Sequence, residues 1–384
     1  MTGEFDAKSR TTSTADALLS GPRGRRMLLD YVMDAERIRR PEQHDDSFRS
    51  AIVRAAHHLD PERDSRVTYS RAYESGAQEP PEEPLRAVVT ADDVAHRLSQ
   101  IPLPEVTEVA LRSAVTAATD SARYWQDPDG EDVLAATAPV RRELRRVAEH
   151  IARSPYAQWW TTALAEPDQW VIVSRGDDSP DTFEPAAAEL LSAWHEDTLA
   201  AEARAADRPT DPTANWSGYW WSNPSVRCST RTLFDGIPAE LWFVEDSMDW
   251  KRIVVRQVGT PAGARIYEID GATAWAELCR RFPLEVTAEK RHDWYLTTGR
   301  SGRWVIPNWQ LVAESYTGVH LTVAGYLAAA GTAIGVDDET ASVIAGWAPD
   351  ATCWLVDPDR IGESRTWVFD NSREHPEWVE ETQR

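Results

Sequence analysis

Apolar residues follow a helical period through the first part of the chain. Between residues 15 and 38 they recur every three or four positions, with a break at Gly21 and Pro22. Thr90, followed three positions later by Asp93, has the pattern of a capping box that starts a helix. Since no strand pattern interrupts it, this part is predicted to be all helical. The spacing predicts helices over 15–38, 47–59, 90–101, 106–124 and 133–151.

After Trp170 the pattern changes to short runs of β-branched and aromatic residues, with helical patterns between some of them. The close spacing of these runs is typical of hairpins. It favours an α+β fold with a mixed or antiparallel sheet over a doubly wound α/β fold. Helices are expected over 183–206, 272–282 and 326–334. Strands are expected over 170–175, 226–233, 240–246, 252–258, 264–270, 303–307, 318–323, 352–357 and 365–370.

The tryptophans divide the chain at nearly the same place. All 18 lie at or after Trp125, and most lie beyond residue 165. Because indole is mostly buried or placed at interfaces, a Trp-rich core or pocket is expected there. The breaker-rich segment 75–84 is a predicted linker or exposed loop. We predict a disordered tail over 1–14, a helical domain over 15–165, and a Trp-rich α+β domain with a candidate ligand pocket over 166–384.

Acidic residues outnumber basic ones by 63 to 41, which gives a formal net charge of −22. This charge repels phosphate backbones and anionic lipids, so nucleic acid and membranes are not expected as partners. The most apolar stretch, 319–336, contains polar residues and is shorter than the roughly 20 residues of a membrane span. The polar N-terminal segment has no secretory-signal pattern. We expect a cytoplasmic protein, and the Arg- and Ala-rich composition indicates an actinobacterial genome.

Motifs for metals and nucleotides are missing from the chain. Cys228, Cys279 and Cys353 are far apart and odd in number, which argues against a disulfide framework or a zinc ribbon. The glycine patterns of a Rossmann dinucleotide site, a P-loop and a nucleophile elbow do not occur. A zincin pattern begins at His195 but lacks its second histidine. No metal site is therefore predicted.

The stretch from residue 291 to residue 309 is the densest in potential chemistry. Glycines within it permit close approach of a ligand to the backbone. Arginine beside aromatic rings suits a planar anionic ligand, through bidentate hydrogen bonds and stacking. The alternative is a hairpin loop whose tryptophans fill the core and whose arginines pair with surplus acids. The candidate ligand-binding residues are His292, Trp294, Arg303, Trp304 and Trp309.

Three further groups of polar residues lie on or beside predicted strands. His320 and Thr322 share one face of a strand, and Arg265 and Tyr267 share one face of another. Asp350 lies in a turn that leads into a closing strand. We take His320 and Asp350 as candidate catalytic residues and the other three as candidate ligand contacts. The alternatives are a structural strand histidine and an ordinary turn aspartate.

Several short motifs carry a resemblance to known families. Between residues 227 and 355, the motifs YEID, RHDWY, GRWVIP and GVHLT resemble an uncharacterised, acidic, Trp-rich actinobacterial protein family to which no activity is attached. The run from Cys228 to Arg231 is similar to the hydroxyl-bearing strand of ADP-ribosyltransferase-like domains, which are α+β folds. That resemblance implies a late acidic residue, here Asp350 or Glu285.

The sequence leaves different classes of function open. The first is an enzyme acting on a planar or nucleotide-like small molecule in a Trp- and Arg-lined pocket, with an ADP-ribosyltransferase-like transferase as one form and NAD as a candidate cofactor. The second is a non-catalytic protein-interaction module, such as an acidic antitoxin- or immunity-like protein. Tryptophan is a preferred hot-spot residue, and negative charge steers basic partners. A protein of specialised metabolism is the third.

Overall fold

A computed structural model shows helices in the first part of the chain, and two mixed sheets with further helices after it. This arrangement confirms the predicted α+β class. The predicted linker 75–84, and all but the last residue of the predicted tail, lie outside the described residues. The structure describes residues 14–39, 48–61, 88–175, 185–247, 250–372 and 377–381.

Helix boundaries follow the breakers and caps in the sequence. Pro22 is the first residue of α2, where its missing N–H costs nothing, so Gly21 and Pro22 separate α1 from α2. Thr90 Oγ1 accepts from the Asp93 N–H at 3.2 Å, and Asp93 accepts from the Thr90 N–H at 2.9 Å. The α-helices are α1 Thr14–Ser20, α2 Pro22–Arg39, α3 Phe48–Leu59, α4 Ala91–Gln100, α5 Glu108–Asp120, α6 Gly130–Ala136, α7 Ala138–Ala152, α8 Ala187–Ala205, α9 Ala272–Arg281, α10 Thr287–Thr298, α11 Trp309–Ser315 and α12 Val323–Ala329.

The strands form two sheets. Eight lie in the order β12-β11-β3-β1-β2-β10-β7-β4, antiparallel except for the β4–β7 pair. The other four lie in the order β5-β6-β9-β8, in which β6 and β9 are parallel. The strands are β1 Gln169–Arg175, β2 Cys228–Thr230, β3 Arg252–Gly259, β4 Ile266–Ile269, β5 Pro283–Glu285, β6 Arg303–Pro307, β7 Gly318–Leu321, β8 Ile334–Gly335, β9 Thr340–Ser342, β10 Thr352–Trp354, β11 Asp359–Asp370 and β12 Glu377–Glu380.

Several predictions of local structure are wrong, among them the helix expected over 326–334, since α12 ends at Ala329 and β8 begins at Ile334. The helix expected over 133–151 is two helices, because Pro139 in the first turn of α7 lets the chain start a new helix after Thr137. The segment 240–246 is not a strand, since a short 3₁₀ helix begins directly after Pro238. The expected loop after residue 290 is the second half of α10. Its helical period is hidden because four polar residues of this helix are buried, namely Glu289, Lys290, His292 and Asp293.

One hydrophobic core extends through the helical part and the sheet-containing part. Helices α1 and α2 pack against α12. Gly21 lies so close to α12 that a Cβ atom there would be 2.3 Å from the Leu327 carbonyl oxygen. The two parts differ in secondary structure but share their core. The buried tryptophans of the second part that belong to it are Trp194, Trp275, Trp294, Trp304, Trp309 and Trp347.

A disulfide joins Cys228 to Cys353, contrary to the expectation from the cysteine count. The two residues are directly opposite each other on β2 and β10, with Cα atoms 4.1 Å apart. They are 125 positions apart in sequence and become neighbours only when the sheet forms. The remaining cysteine, Cys279, is buried, and burial raises the pKa of its thiol to about 12.

We expect protein unfolded without reductant to contain one titratable thiol, and three after reduction. Replacing both Cys228 and Cys353 by Ser should lower the free energy of unfolding by about 2–5 kcal/mol, because the unfolded chain gains freedom. Thiol titration and chemical denaturation measure the two effects. Reductant should destabilise the wild type and leave the double variant unchanged. Three thiols in protein purified without reductant would contradict the pairing.

Candidate functional site

Strands β4 and β7 and the turn before β10 bring three titratable side chains into contact. Glu268 and His320 are directly paired residues on β4 and β7, and His320 Nδ1 lies 2.5 Å from Glu268 Oε2. On the other side of the ring, His320 Nε2 lies 3.4 Å from Asp350 Oδ1. The structure therefore makes neighbours of His320 and Asp350, the two residues predicted as catalytic, and adds Glu268 to them.

Arg231, which follows β2, extends this group toward the surface. Its Nε donates to Asp350 Oδ1 at 2.8 Å, and its backbone N–H donates to Asp350 Oδ2 at 3.1 Å. Its terminal nitrogens donate to Thr162 Oγ1 and to the Ala163 carbonyl, both at 3.3 Å. Acidic and basic side chains thus alternate along a row of four residues. We call these four residues the charge row: Glu268, His320, Asp350 and Arg231.

Asp350 has a left-handed backbone conformation, with φ at 67°. This conformation costs an L-residue about 1–2 kcal/mol, although aspartate adopts it more readily than most. The two hydrogen bonds from Arg231 fix Asp350 in place and offset that cost. The position of this carboxylate therefore depends on its partner as well as on the turn.

Burial and neighbouring charges act on His320 in opposite directions. Burial lowers the pKa of His320, but hydrogen bonds and charge from Asp350 and Glu268 raise it more, so the net pKa is raised. The side chains of His320 and Asp350 are 1% and 2% exposed, whereas that of Glu268 is 32% exposed. The structure therefore favours a protonated His320 between two carboxylates and leaves it no open face for a substrate.

The outer end of the charge row lines a cleft between the helical part and the larger sheet. Its walls are α5, the 3₁₀ helix Pro155–Thr161 and the loop after β2. The cleft has a volume of about 250 Å³. We call it the aromatic cleft, and its main lining residues are Arg112, Tyr156, Trp159, Arg231, Phe234 and Phe243.

Both arginines of the aromatic cleft stack on aromatic rings. The guanidinium carbon of Arg231 lies 4.8 Å from the centre of the Trp159 ring. That of Arg112 lies 4.2 Å from Trp242 and 5.3 Å from Phe234. A stacked guanidinium directs its N–H groups sideways, in its own plane, where they can donate hydrogen bonds. Arg112 also pairs with Asp235, and the Arg231 side chain already donates to Asp350, Thr162 and Ala163. The cleft therefore places guanidinium groups beside aromatic rings.

The three tryptophans predicted to contact a ligand lie in the core instead. Trp294, Trp304 and Trp309 are each 0% exposed. The indole N–H of Trp294 donates to the Trp220 carbonyl at 3.0 Å, and that of Trp309 donates to the Ser222 carbonyl at 3.1 Å. Their expected role as stacking residues is corrected by this burial, because a ligand does not reach them.

His292 and Thr322, which were also predicted as ligand contacts, make contacts within the fold. His292 is 1% exposed, and its Nδ1 lies 3.3 Å from the Pro212 carbonyl oxygen. Thr322 does not lie on the face of a strand, since β7 ends one residue earlier. Its Oγ1 caps α12 by accepting from the Gly325 N–H at 3.0 Å. The structure places neither residue in the lining of the aromatic cleft.

Arg265, Tyr267 and Arg303 are partly or fully exposed and do not line the aromatic cleft. Arg265 donates to a main-chain carbonyl of α11 at 3.4 Å, and the Tyr267 hydroxyl donates to one of α9 at 2.7 Å. Arg303 pairs with Glu285 at 2.6 Å and with Glu339 at 3.0 Å. The structure therefore does not gather the predicted ligand contacts into one site.

The sequence contains only weak indications of which residues line the aromatic cleft. Trp159 is one of two adjacent tryptophans, and Arg231 lies within a run of Ser and Thr on a predicted strand. Nothing in the sequence connects the two, because the sheet and the helical part must pack together before they meet. Glu268 was expected on the face opposite Arg265 and Tyr267, with no partner to identify it.

Comparisons with known proteins do not identify a function. The chain matches no protein-family model, and comparisons with curated proteins and with solved structures find no match. Within the described ranges, no three His, Cys, Asp or Glu side chains are grouped to hold a metal ion. Among the helices of that same part of the chain, none is long and apolar enough to cross a bilayer.

We expect His320→Gln to destabilise the fold by about 3 kcal/mol near pH 6, because two carboxylates lose the cation between them. The raised pKa of His320 means that its charge contributes stability below its unfolded pKa. That contribution is lost as the pH rises through the folded value. The difference between wild type and variant should therefore shrink toward pH 9.

Urea denaturation at intervals between pH 6 and pH 9 measures this difference. His57→Gln, at an exposed position on α3, is the matched control and should leave the pH profile unchanged. A stability difference for His320→Gln that stays constant with pH would show that the imidazole acts there as a neutral group.

Proposed function

We propose that this protein binds a planar, anionic, nucleotide-like small molecule in the aromatic cleft. The observation that carries the proposal is the guanidinium of Arg231, stacked on Trp159 at the wall of the cleft and fixed from behind by Asp350. A cationic group already held in one orientation loses little conformational entropy on binding. The ring of a ligand would pack among the aromatic side chains, with its anionic group toward the arginine.

The size of the cleft limits the ligand. Its volume of about 250 Å³ lies just below the range of about 300–1,000 Å³ that is typical of pockets for drug-sized molecules. A nucleobase-sized ring with one anionic group suits this space, whereas a whole dinucleotide exceeds it. NAD as cofactor therefore stays a prediction, to which the cleft adds no support.

We restrict the proposal to binding because His320 and Asp350 are almost fully buried behind Arg231. In this position they act as positioning residues, which hold the guanidinium in place without contacting the ligand. A transferase reaction, like the expected cytoplasmic location, stays a prediction from the sequence.

Adenosine monophosphate is a suitable probe, because it joins a flat ring to an anion. Trp159→Ala should weaken its binding about tenfold or more, since stacking of one base contributes about 1–3 kcal/mol. Arg231→Lys should also weaken it, because lysine keeps the charge but loses the planar, stacked fork of donors. Isothermal titration calorimetry measures both effects, with circular dichroism to confirm folding.

Trp216→Ala is the matched control, since Trp216 is 48% exposed and does not line the cleft. Its affinity should equal that of the wild type. The proposal fails if the wild type shows no saturable binding of adenosine monophosphate or of benzoate. Unchanged affinities in both folded cleft variants would also overturn it.

One surface favours the alternative of a protein-interaction module. Trp216, Tyr219 and Trp221 are 48%, 42% and 41% exposed within six consecutive positions. Exposed aromatic side chains of this kind are enriched at binding hot spots. Replacing Trp216 and Tyr219 together by Ser should abolish stoichiometric recovery of a basic partner at low salt, while the Trp159→Ala variant should retain it. Equal recovery by both variants would exclude this surface.

A further inference from the structure

A second cavity, separate from the aromatic cleft, lies where the start of α2 meets the segment between α5 and α6. The end of α10 and the turn after α12 complete its walls. Its volume is about 260 Å³. We call it the arginine cavity, and the residues used below are Arg23, Arg25, Ser121, Arg123 and Thr332.

The acidic residues at this cavity are already paired. Asp132 pairs with Arg23, and Asp129 pairs with Arg26 at 3.0 Å. Arg26 also pairs with Glu131 at 2.5 Å. Asp127 is a further acidic residue of the lining and also has an interaction partner. Asp129, Glu131 and Asp132 are therefore engaged by Arg26 and Arg23, and within the ranges that the structure describes none of the three forms an ion pair with a third guanidinium.

Arg25 is the positively charged residue of the cavity lining that takes part in none of these ion pairs. Among the described residues, no carboxylate lies within 4.0 Å of its side-chain nitrogens. Its Nη1 donates only to the carbonyls of Leu19 and Ser20, at 3.1 and 2.7 Å. Burial, followed by repulsion from Arg141 and Arg23, lowers its pKa, although Asp132 acts in the opposite direction. A partly buried positive charge thus borders a cavity without an ionic partner.

Two buried donors at the same cavity are unused. The Nε–H groups of Arg23 and Arg25 are both buried, and neither has a hydrogen-bond partner in the described part of the chain. Buried donors in folded proteins nearly always have a partner, so these two groups are exceptions, as are the Nε–H groups of Arg54, Arg112, Arg146 and Arg291 elsewhere. The first turn of α2, an 18-residue helix, adds its positive dipole end at this position.

We propose that the arginine cavity binds a small oxyanion, with the guanidinium of Arg25 as its main contact. Arg23 and Arg123 line the same cavity and pair with Asp132 and Asp246. The hydroxyls of Ser121 and Thr332, also in the lining, donate to the carbonyls of Ala118 and Ala329. A phosphate group and a carboxylate share the chemistry that this site recognises, since both accept bidentate hydrogen bonds from arginine. The net charge of −22 disfavours non-specific binding of anions over the protein surface, so binding at this cavity should be saturable.

Inorganic phosphate tests the proposal directly. Calorimetric titration of the wild-type chain against phosphate, sulfate and acetate, each compared with chloride at equal ionic strength, should show saturable binding of at least one oxyanion. Preference for phosphate and sulfate would indicate a tetrahedral anion, and preference for acetate would indicate a carboxylate. Arg25→Gln, which removes the charge and keeps much of the side chain, should weaken binding at least tenfold.

Arg37→Gln is the matched control, because Arg37 lies on the same helix and its side chain is 57% exposed. It removes the same charge and should leave the affinity unchanged. If Arg25→Gln does not fold, Arg123→Gln at the partly exposed side of the cavity replaces it, and its affinity should fall as well. Absence of saturable binding to the wild type, or wild-type affinity in the folded arginine variants, would overturn the proposal.

The two binding sites can be told apart with the same variants. Trp159→Ala should retain full affinity for phosphate, and Arg25→Gln should retain full affinity for adenosine monophosphate. Loss of nucleotide binding in Arg25→Gln alone would transfer the nucleotide from the aromatic cleft to the arginine cavity. That result would contradict the function proposed for the cleft and support the oxyanion site.

Discussion

The charge row is the interaction on which the geometry of the larger sheet and of the aromatic cleft depends. Burying a single ion costs several kcal/mol even after the protein relaxes, so each member needs an opposite neighbour. β4 and β7, the turn before β10 and the end of β2 each supply one member. The row also reaches the helical part, because the Leu164 N–H donates to Glu268 at 3.2 Å. Removing any one of these segments would leave a charged side chain of the row without an oppositely charged neighbour.

The disulfide and the charge row fix the same pair of segments by different means. Cys228 and Cys353 join β2 to β10, and Arg231 and Asp350 join the same segments three residues away. The covalent bond acts mainly on the unfolded chain, whose freedom it reduces. The ion pair acts on the folded state and sets the orientation of the guanidinium. Two interactions therefore determine the position of Arg231 at the cleft, as the proposed ligand contact would require.

The sequence predicted those features that depend on neighbouring residues. The break at Gly21 and Pro22 and the cap at Thr90 are local, because a backbone restriction or a three-residue contact decides them. The α+β class follows from the change of hydrophobic period after Trp170. Helix α10 was not recognised, because a helix that buries lysine and aspartate beside tryptophan shows no amphipathic stripe.

The candidate site could not be predicted for a related reason. Its residues come from a 3₁₀ helix, a strand end and a turn, and the sheet order that joins them is not encoded in any one segment. His320 and Asp350 were predicted from local patterns, because His320 shares a strand face with Thr322 and Asp350 lies in a turn before a closing strand. Their role differs from the expected one because exposure, which decides whether a group can touch a substrate, depends on what packs above it.

The location of the arginines makes the proposed anion sites compatible with an acidic protein. Both cavities lie between the helical part and the sheet-containing part, and arginines line each of them. At physiological ionic strength a surface charge is screened over about 8 Å, so distant carboxylates oppose an incoming anion only weakly. A partly buried guanidinium is screened much less, and it acts on a ligand through hydrogen bonds as well as charge. A net charge of −22 is a sum over the whole chain, so it does not exclude a local anion site formed by a few enclosed arginines.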